Sequence, residues 1–162
     1  MPACGVTLLS VGRLKEKYYI EAFAEYQKRL GAYCRFEALE LPEQRLPDDP
    51  SEKEIAAALK KEASALRAHI PDGAVVAALC VEGGQMSSEA FAGQLGRWLG
   101  AGRSRICFLV GGSYGLDAGL KASADLRLSV SAMTFPHHLF RVMLAEQIYR
   151  AFTILAGSRY HK

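Results

Sequence analysis

Apolar and polar positions along this chain switch repeatedly between a period of two and a period near 3.6. Val6-Thr7-Leu8-Leu9-Ser10-Val11 is a short, mostly apolar run closed by Gly12, which predicts a first strand. From Glu16 to Leu30, the residues Tyr19, Ile20, Phe23, Tyr26 and Leu30 recur at three- and four-residue spacing, predicting an amphipathic helix stopped at Gly31. Residues Phe36 to Leu41 alternate as a half-buried strand should, and Pro42 ends them. Residues 42–50, with Pro42, Pro47 and Pro50 among charges, predict a loop. Ser51 followed by Glu54 makes a capping box for a helix over 51–69, with Ile55, Ala58, Leu59, Ala65 and Leu66 on one side. Pro71-Asp72-Gly73 is a turn, and the unbroken apolar run Ala74 to Val81 predicts a central parallel strand covered on both faces.

Gly83-Gly84 is then expected to open a loop into a helix capped at Ser87 or Ser88, with Phe91, Leu95, Trp98 and Leu99 turned inward. A strand over 106–110, a glycine loop, a short helix near 117–123, a strand over 126–130 and a final helix over 138–155 complete the chain. Strands alternating with helices, with no internal repeat, predict one α/β domain over 1–162, its sheet mostly parallel and flanked by helices. In the final helix, Phe140, Leu144, Ile148, Phe152 and Leu155 form a stripe, but Val142, Tyr149 and Ala151 make much of the rest apolar too. Such a helix is buried on more than one side, and an oligomer interface would explain it. Glu146, Gln147 and Arg150 share its polar edge, where Glu146 and Arg150 also have the spacing of a plain helix-surface pair. Arg141 falls near the apolar stripe, where it snorkels, pairs across an interface or binds phosphate.

Composition changes this picture little: 162 residues with half of them hydrophobic are enough for a single core. No apolar run is long enough to span a membrane, and Met1-Pro2-Ala3-Cys4 leads into a strand without the features of a signal peptide. Cys4, Cys34, Cys80 and Cys107 are scattered, so structural packing in a reducing, cytoplasmic setting is expected rather than metal binding. Charge placement is more telling. Residues 1–122 hold 15 basic and 15 acidic residues, whereas Arg127, Arg141, Arg150, Arg159 and Lys162 face only Asp125 and Glu146 after that, so the net +3 lies entirely in the C-terminal region. An anionic partner is expected there.

Gly111-Gly112-x-x-Gly115 after an apolar strand lacks the spacing of a dinucleotide fingerprint, and no Walker-type Gly-Lys-Ser/Thr occurs. Paired glycines also occur in ordinary tight turns. Here, however, strands ending near Leu79, Val110 and Val130 all run into small or glycine-rich loops, and a parallel sheet sets such loops along one edge. A pocket gripping an uncharged or zwitterionic ligand through main-chain groups is the expectation. His137-His138 has no carboxylate or cysteine close by in sequence, so no metal is expected. Tyr160-His161-Lys162 brings an aromatic ring, an imidazole and a cation together, the chemistry that stacks on bases and contacts phosphates.

Leu109-Val110-Gly111-Gly112-x-x-Gly115-Leu116, Leu128-Ser129-x-Ser131-Ala132-Met133-Thr134-Phe135-Pro136-His137, Arg141-Val142-x-x-Ala145-Glu146-Gln147-x-Tyr149-Arg150-Ala151 and the terminal Tyr160-His161 together closely resemble one family. It is the ribosomal RNA large subunit methyltransferase H family of the SPOUT superfamily, and the likeness extends to Val11-Gly12 and Glu25-Tyr26-x-x-Arg29. The resemblance implies a C-terminal trefoil knot over roughly 105–162, binding of S-adenosylmethionine, a homodimer, and methylation of the imide nitrogen N3 of a pseudouridine in 23S rRNA. The target implied is the inter-subunit bridge stem-loop of the assembled ribosome. Carried over by position, cofactor contacts fall on Leu79, Gly112, Ser131, Ala132, Met133, Thr134, Phe135 and Pro136. Many relatives have Pro-Glu where this chain has Ser113-Tyr114, and Pro where it has His138.

On that reading Arg150, Tyr160 and His161 orient the substrate and stabilise a developing anion, with Glu146 fixing Arg150 and the tail of one subunit serving the other. The rivals are a knotted methyltransferase acting on transfer RNA and a non-catalytic RNA-binding dimer of the same fold.

Overall fold

The computed structural model describes residues 3–161; the expectations about Met1, Pro2 and Lys162 lie outside them. Five strands and five helices follow in the order β1 (Gly5–Val11), α1 (Lys17–Leu30), β2 (Arg35–Leu41), α2 (Glu52–His69), β3 (Val75–Gln85), α3 (Ser88–Gly100), β4 (Arg105–Val110), α4 (Ala118–Ser123), β5 (Leu126–Ser129) and α5 (His137–Leu155). All strands are parallel, in the order β2-β1-β4-β3-β5. The α/β expectation is borne out, and the apolar runs β1, β3 and β4 are the central strands, as burial on both faces requires.

Helices α1, α3 and α5 cover one face of the sheet, over a core that includes Leu8, Leu30, Leu95, Phe108, Leu144 and Ile148. Helices α2 and α4 cover the other, over Leu9, Leu66, Ala78, Cys107 and Leu120. Ser51 caps α2 through the predicted reciprocal pair with Glu54. The buried face of α2 differs from the expected one, because it includes Glu62 beside Ala58, Ala63 and Leu66. The Glu62 carboxylate accepts the Gln44 amide at 2.8 Å and so ties down the 42–50 loop, while burial pushes its pKa up.

Gly83-Gly84 does not open a loop. These residues continue β3, which bulges after Leu79 and pairs again with β5 at Gly84. A Cβ at Gly83 would lie 2.7 Å from the Leu128 backbone, so this close strand approach needs glycine. The four cysteines are free thiols, three of them buried, and burial pushes Cys34 and Cys107 up to about 12; they serve packing. Among the described residues no helix is long and apolar enough to cross a membrane.

Helix α5 lies between α1 and α3 and has no fully exposed residue from His137 to Ile154. Most of its apolar circumference is therefore satisfied within the chain. Arg141 corrects the expectation most sharply. It is 1% exposed and serves neither a dimer seam nor a phosphate: Nη1 donates to Glu40 at 2.9 Å and Nη2 to the Val11 carbonyl at 2.7 Å. A buried guanidinium thus pins the start of α5 to the ends of β1 and β2. Arg141→Met should lower the thermal midpoint by about 5–10 °C, because the Val11 carbonyl loses its partner at about 2–3 kcal/mol, while half-exposed Glu40 rehydrates. An unchanged melting curve would contradict this role.

Candidate active site

The segment 130–136 leaves β5 at the sheet edge and crosses the carboxyl ends of β3 and β4 to deliver α5 beside β1. The carboxyl ends of β3, β4 and β5 thereby enclose a cavity of about 380 Å³, within the usual range for small-molecule sites. Leu79 to Glu82, Val110 to Leu116, and Leu128 to Ser131 with Met133 to Phe135 line it. Two of the three loops that the sequence singled out, those after β4 and β5, meet here with the bulge of β3 that stands in place of the third, on the side of a parallel sheet where such folds bind ligands.

Its floor is main chain by necessity. A Cβ at Gly111 would lie 2.3 Å from the Gly115 carbonyl oxygen, and one at Gly112 would lie 2.7 Å from Glu43 Oε1. Gly115 takes φ +79°, and its amide returns to the Gly112 carbonyl at 3.1 Å, closing the turn. The opposite wall is held by short bonds: Ser129 Oγ donates to the Ser131 carbonyl at 3.1 Å, and Ser131 Oγ accepts the Met133 amide at 3.0 Å. Charge on the walls is largely cancelled. Lys121 pairs with Glu82, and burial together with His138 lowers the pKa of His137, leaving that imidazole neutral at pH 7. Cys80 also lines the cavity, but burial raises its pKa, so it stays a thiol rather than a nucleophilic thiolate.

Of the expected cofactor residues, Leu79, Gly112, Ser131, Met133, Thr134 and Phe135 line the cavity; Ala132 and Pro136 are exposed in the same loop and are not part of its lining. Glu43 was not singled out by sequence. From the 42–50 loop its carboxylate accepts the Ser113 amide at 3.1 Å and sits under Gly112, so it props the glycine turn from outside. A lone glutamate among three prolines gives no sequence signal for this.

Arg150, Tyr160 and His161 come together, but elsewhere. Arg150 Nε donates to Glu146 at 2.9 Å, the guanidinium lies 4.8 Å from the Tyr160 ring centre, and the Tyr160 hydroxyl donates to Glu146 at 3.2 Å. Arg150 Nη1 donates to His161 Nδ1 at 3.1 Å, which places the imidazole proton on Nε2, aimed at Glu89 Oε1 2.7 Å away. The expectation that Glu146 fixes Arg150 is met in these contacts. Burial and Glu146 push the Tyr160 phenol up to about 12, so at neutral pH it donates a proton bond and does not act as a base. The cluster borders a second cavity of about 370 Å³, lined by Tyr26, Met86, Val142, Met143, Glu146 and Gln147 among others. From Phe140, the last residue of α5 that lines the first cavity, to Arg150 is ten residues, or about 15 Å along the helix axis. Arg150, Tyr160 and His161 are not among the residues lining the first cavity of their own chain.

The C-terminal charge excess shrinks on inspection. Arg141 and Arg150 are spent on internal carboxylates, leaving Arg127 and Arg159 without an ion pair among the described residues.

Comparison with known proteins agrees with this architecture. The sequence profile described as "Predicted SPOUT methyltransferase" matches residues 5–161. The "Ribosomal RNA large subunit methyltransferase H" of Clostridium beijerinckii is 45% identical over 157 residues, covering 97% of this chain and 99% of that protein. Among solved structures, a probable methyltransferase from Bordetella pertussis Tohama I superposes with a TM-score of 0.56 at 15% identity, over 93% of this chain and 97% of that one. A probable methylase family protein from Haemophilus influenzae Rd KW20 does so at 0.57 and 12%, over 99% of this chain and 71% of that one; both share the fold. The chain therefore belongs to the SPOUT methyltransferase family, among the ribosomal RNA large subunit methyltransferase H proteins.

Proposed function

We propose that this methyltransferase takes its methyl group from S-adenosylmethionine and places it on the imide nitrogen N3 of a pseudouridine in 23S rRNA, acting as a cytoplasmic homodimer on assembled ribosomes. The observation that carries this reading is the cavity built from main chain at the ends of β3, β4 and β5. Its residues fit the cofactor. Gly111 and Gly112 leave backbone bare, and no unpaired cation lines the walls to oppose a sulfonium. Leu79, Gly112 and the loop from Ser131 to Pro136 would hold it. When bound, the cofactor supplies an electrophilic methyl group.

The remaining chemistry falls to the cluster on α5 and the tail. An imide proton is more acidic than an amine proton, so no strong base is needed. Arg150 offers fixed positive charge, and Tyr160 and His161 offer donors, which suits a pyrimidine ring gaining negative charge. The rise of about 15 Å along α5 from Phe140 at the cavity to Arg150 supports a composite site, with the tail of one subunit serving the cavity of its partner. The open edge of α5, from Leu139 through Val142 and Met143 to Glu146, supports a dimer contact there. The crossing of segment 130–136 over the ends of β3 and β4 is compatible with the trefoil knot over about 105–162.

Labelled S-adenosylmethionine, offered with assembled ribosomes, naked 23S rRNA or transfer RNA, tests the reading. Label should enter assembled ribosomes fastest, and the rate should fall with salt as phosphate contacts release counterions. Equal rates on naked rRNA, or labelling of transfer RNA, would overturn the substrate assignment.

A further inference from the structure

The mouth of the cofactor cavity has an apolar rim that the proposed chemistry leaves unused. Val81 is 78% exposed, Met133 75% and Tyr114 49%, and all three line this cavity. The other large apolar residues left in solvent, Tyr18, Ile20, Leu39 and Leu155, lie elsewhere. Exposed apolar side chains gathered at one opening mark a contact surface rather than chance.

Tyr114 is the most constrained of the three. Its neighbours on both sides are fixed: the Ser113 amide is held by Glu43 at 3.1 Å, and the Gly115 amide by the Gly112 carbonyl at 3.1 Å. The ring itself has neither an aromatic partner nor a hydrogen bond among the described residues. A half-exposed aromatic ring is thus presented on a fixed turn without an aromatic partner among the described residues. Nearby, Arg127 is close enough to Glu82 and Cys80 to act on the pKa of each, yet has no ion pair among the described residues, whereas Lys121 is neutralised by Glu82. An unpaired ring at a cavity mouth whose wall residues Cys80 and Glu82 feel an unpaired cation suits a strand that stacks a base and carries phosphate.

We propose that Tyr114 is the stacking platform for a nucleobase flanking the modified residue of the RNA substrate. This rests on the function proposed above, since an RNA strand must pass the mouth for its target to reach the methyl group. The platform would set how this chain grips the strand next to its target.

The test uses the full-length protein with assembled ribosomes as substrate. KM and kcat are measured alongside calorimetric binding of S-adenosylhomocysteine. Tyr114→Ala should raise KM for the ribosome about five- to a hundredfold, the range for loss of one stacked base, and by a clearly larger factor than it changes kcat or cofactor affinity. Tyr114→Phe and Tyr114→Trp should restore KM, because either ring stacks without the hydroxyl. An unchanged KM in Tyr114→Ala overturns the platform while methylation by the wild type upholds the enzyme. A matching loss of cofactor affinity overturns it as well, since the ring would then cover the cofactor. Failure of Phe to restore KM would assign the role to the hydroxyl instead. If the wild type methylates no RNA, platform and proposed function fall together.

Discussion

His161→Ala should slow methyl transfer about a hundredfold or more, the usual loss for one preorganised donor, while S-adenosylmethionine binding changes by less than about twofold. The asymmetry follows from placement. His161 lies with Arg150 and Glu89, none of which lines the cavity of its own chain, so the alanine variant leaves every cavity wall in place. It also frees Arg150 Nη1 from its imidazole partner, although Glu146 still holds the guanidinium. Arg150→Ala should therefore be at least as damaging, because it removes the charge and the contact that fixes the imidazole tautomer. Single-turnover rates at saturating cofactor, paired with calorimetry, read the two effects separately. Equal losses of rate and cofactor affinity would put His161 in the cofactor site and contradict the division of labour.

The second large effect is expected at the floor of the cavity. Gly111→Ala should weaken S-adenosylmethionine binding about a hundredfold, because overpacking of this severity costs about 1–3 kcal/mol and must be relieved by moving the turn that forms the site. The clash is with main chain, 2.3 Å from the Gly115 carbonyl oxygen, so no side-chain rotation can relieve it. Gly5→Ala is the control: nothing lies within 4 Å of its added methyl, and binding should be unchanged. Wild-type affinity in Gly111→Ala would show that the glycine turn does not shape the site.

The elements themselves were legible because each has a local cause. The capping box at Ser51, the unbroken apolar run of β3 and the glycines after β4 predict their structures within a few residues. The cavity was legible for a related reason: small residues after three strands, in a parallel sheet, must gather at one edge. What failed was decided by distant partners. Arg141 is satisfied by Glu40 and Val11, 101 and 130 residues earlier, and a helix-wheel argument sees neither. Gly83-Gly84 reads as a loop because Gly-Gly has the same appearance in sequence whether it opens a turn or admits the Leu128 backbone. Glu43 and Glu89 are ordinary surface glutamates in sequence, and only the fold sets one beneath Gly112 and the other against His161.

The central claim is that a sulfonium cofactor, bound on bare backbone, modifies one pyrimidine of the large ribosomal subunit. Mass mapping of 23S rRNA from cells with and without this protein tests it most directly. The account predicts one pseudouridine, in the inter-subunit bridge stem-loop, that carries a methyl group on N3 in the first RNA and lacks it in the second. Identical modification maps from the two strains would contradict it.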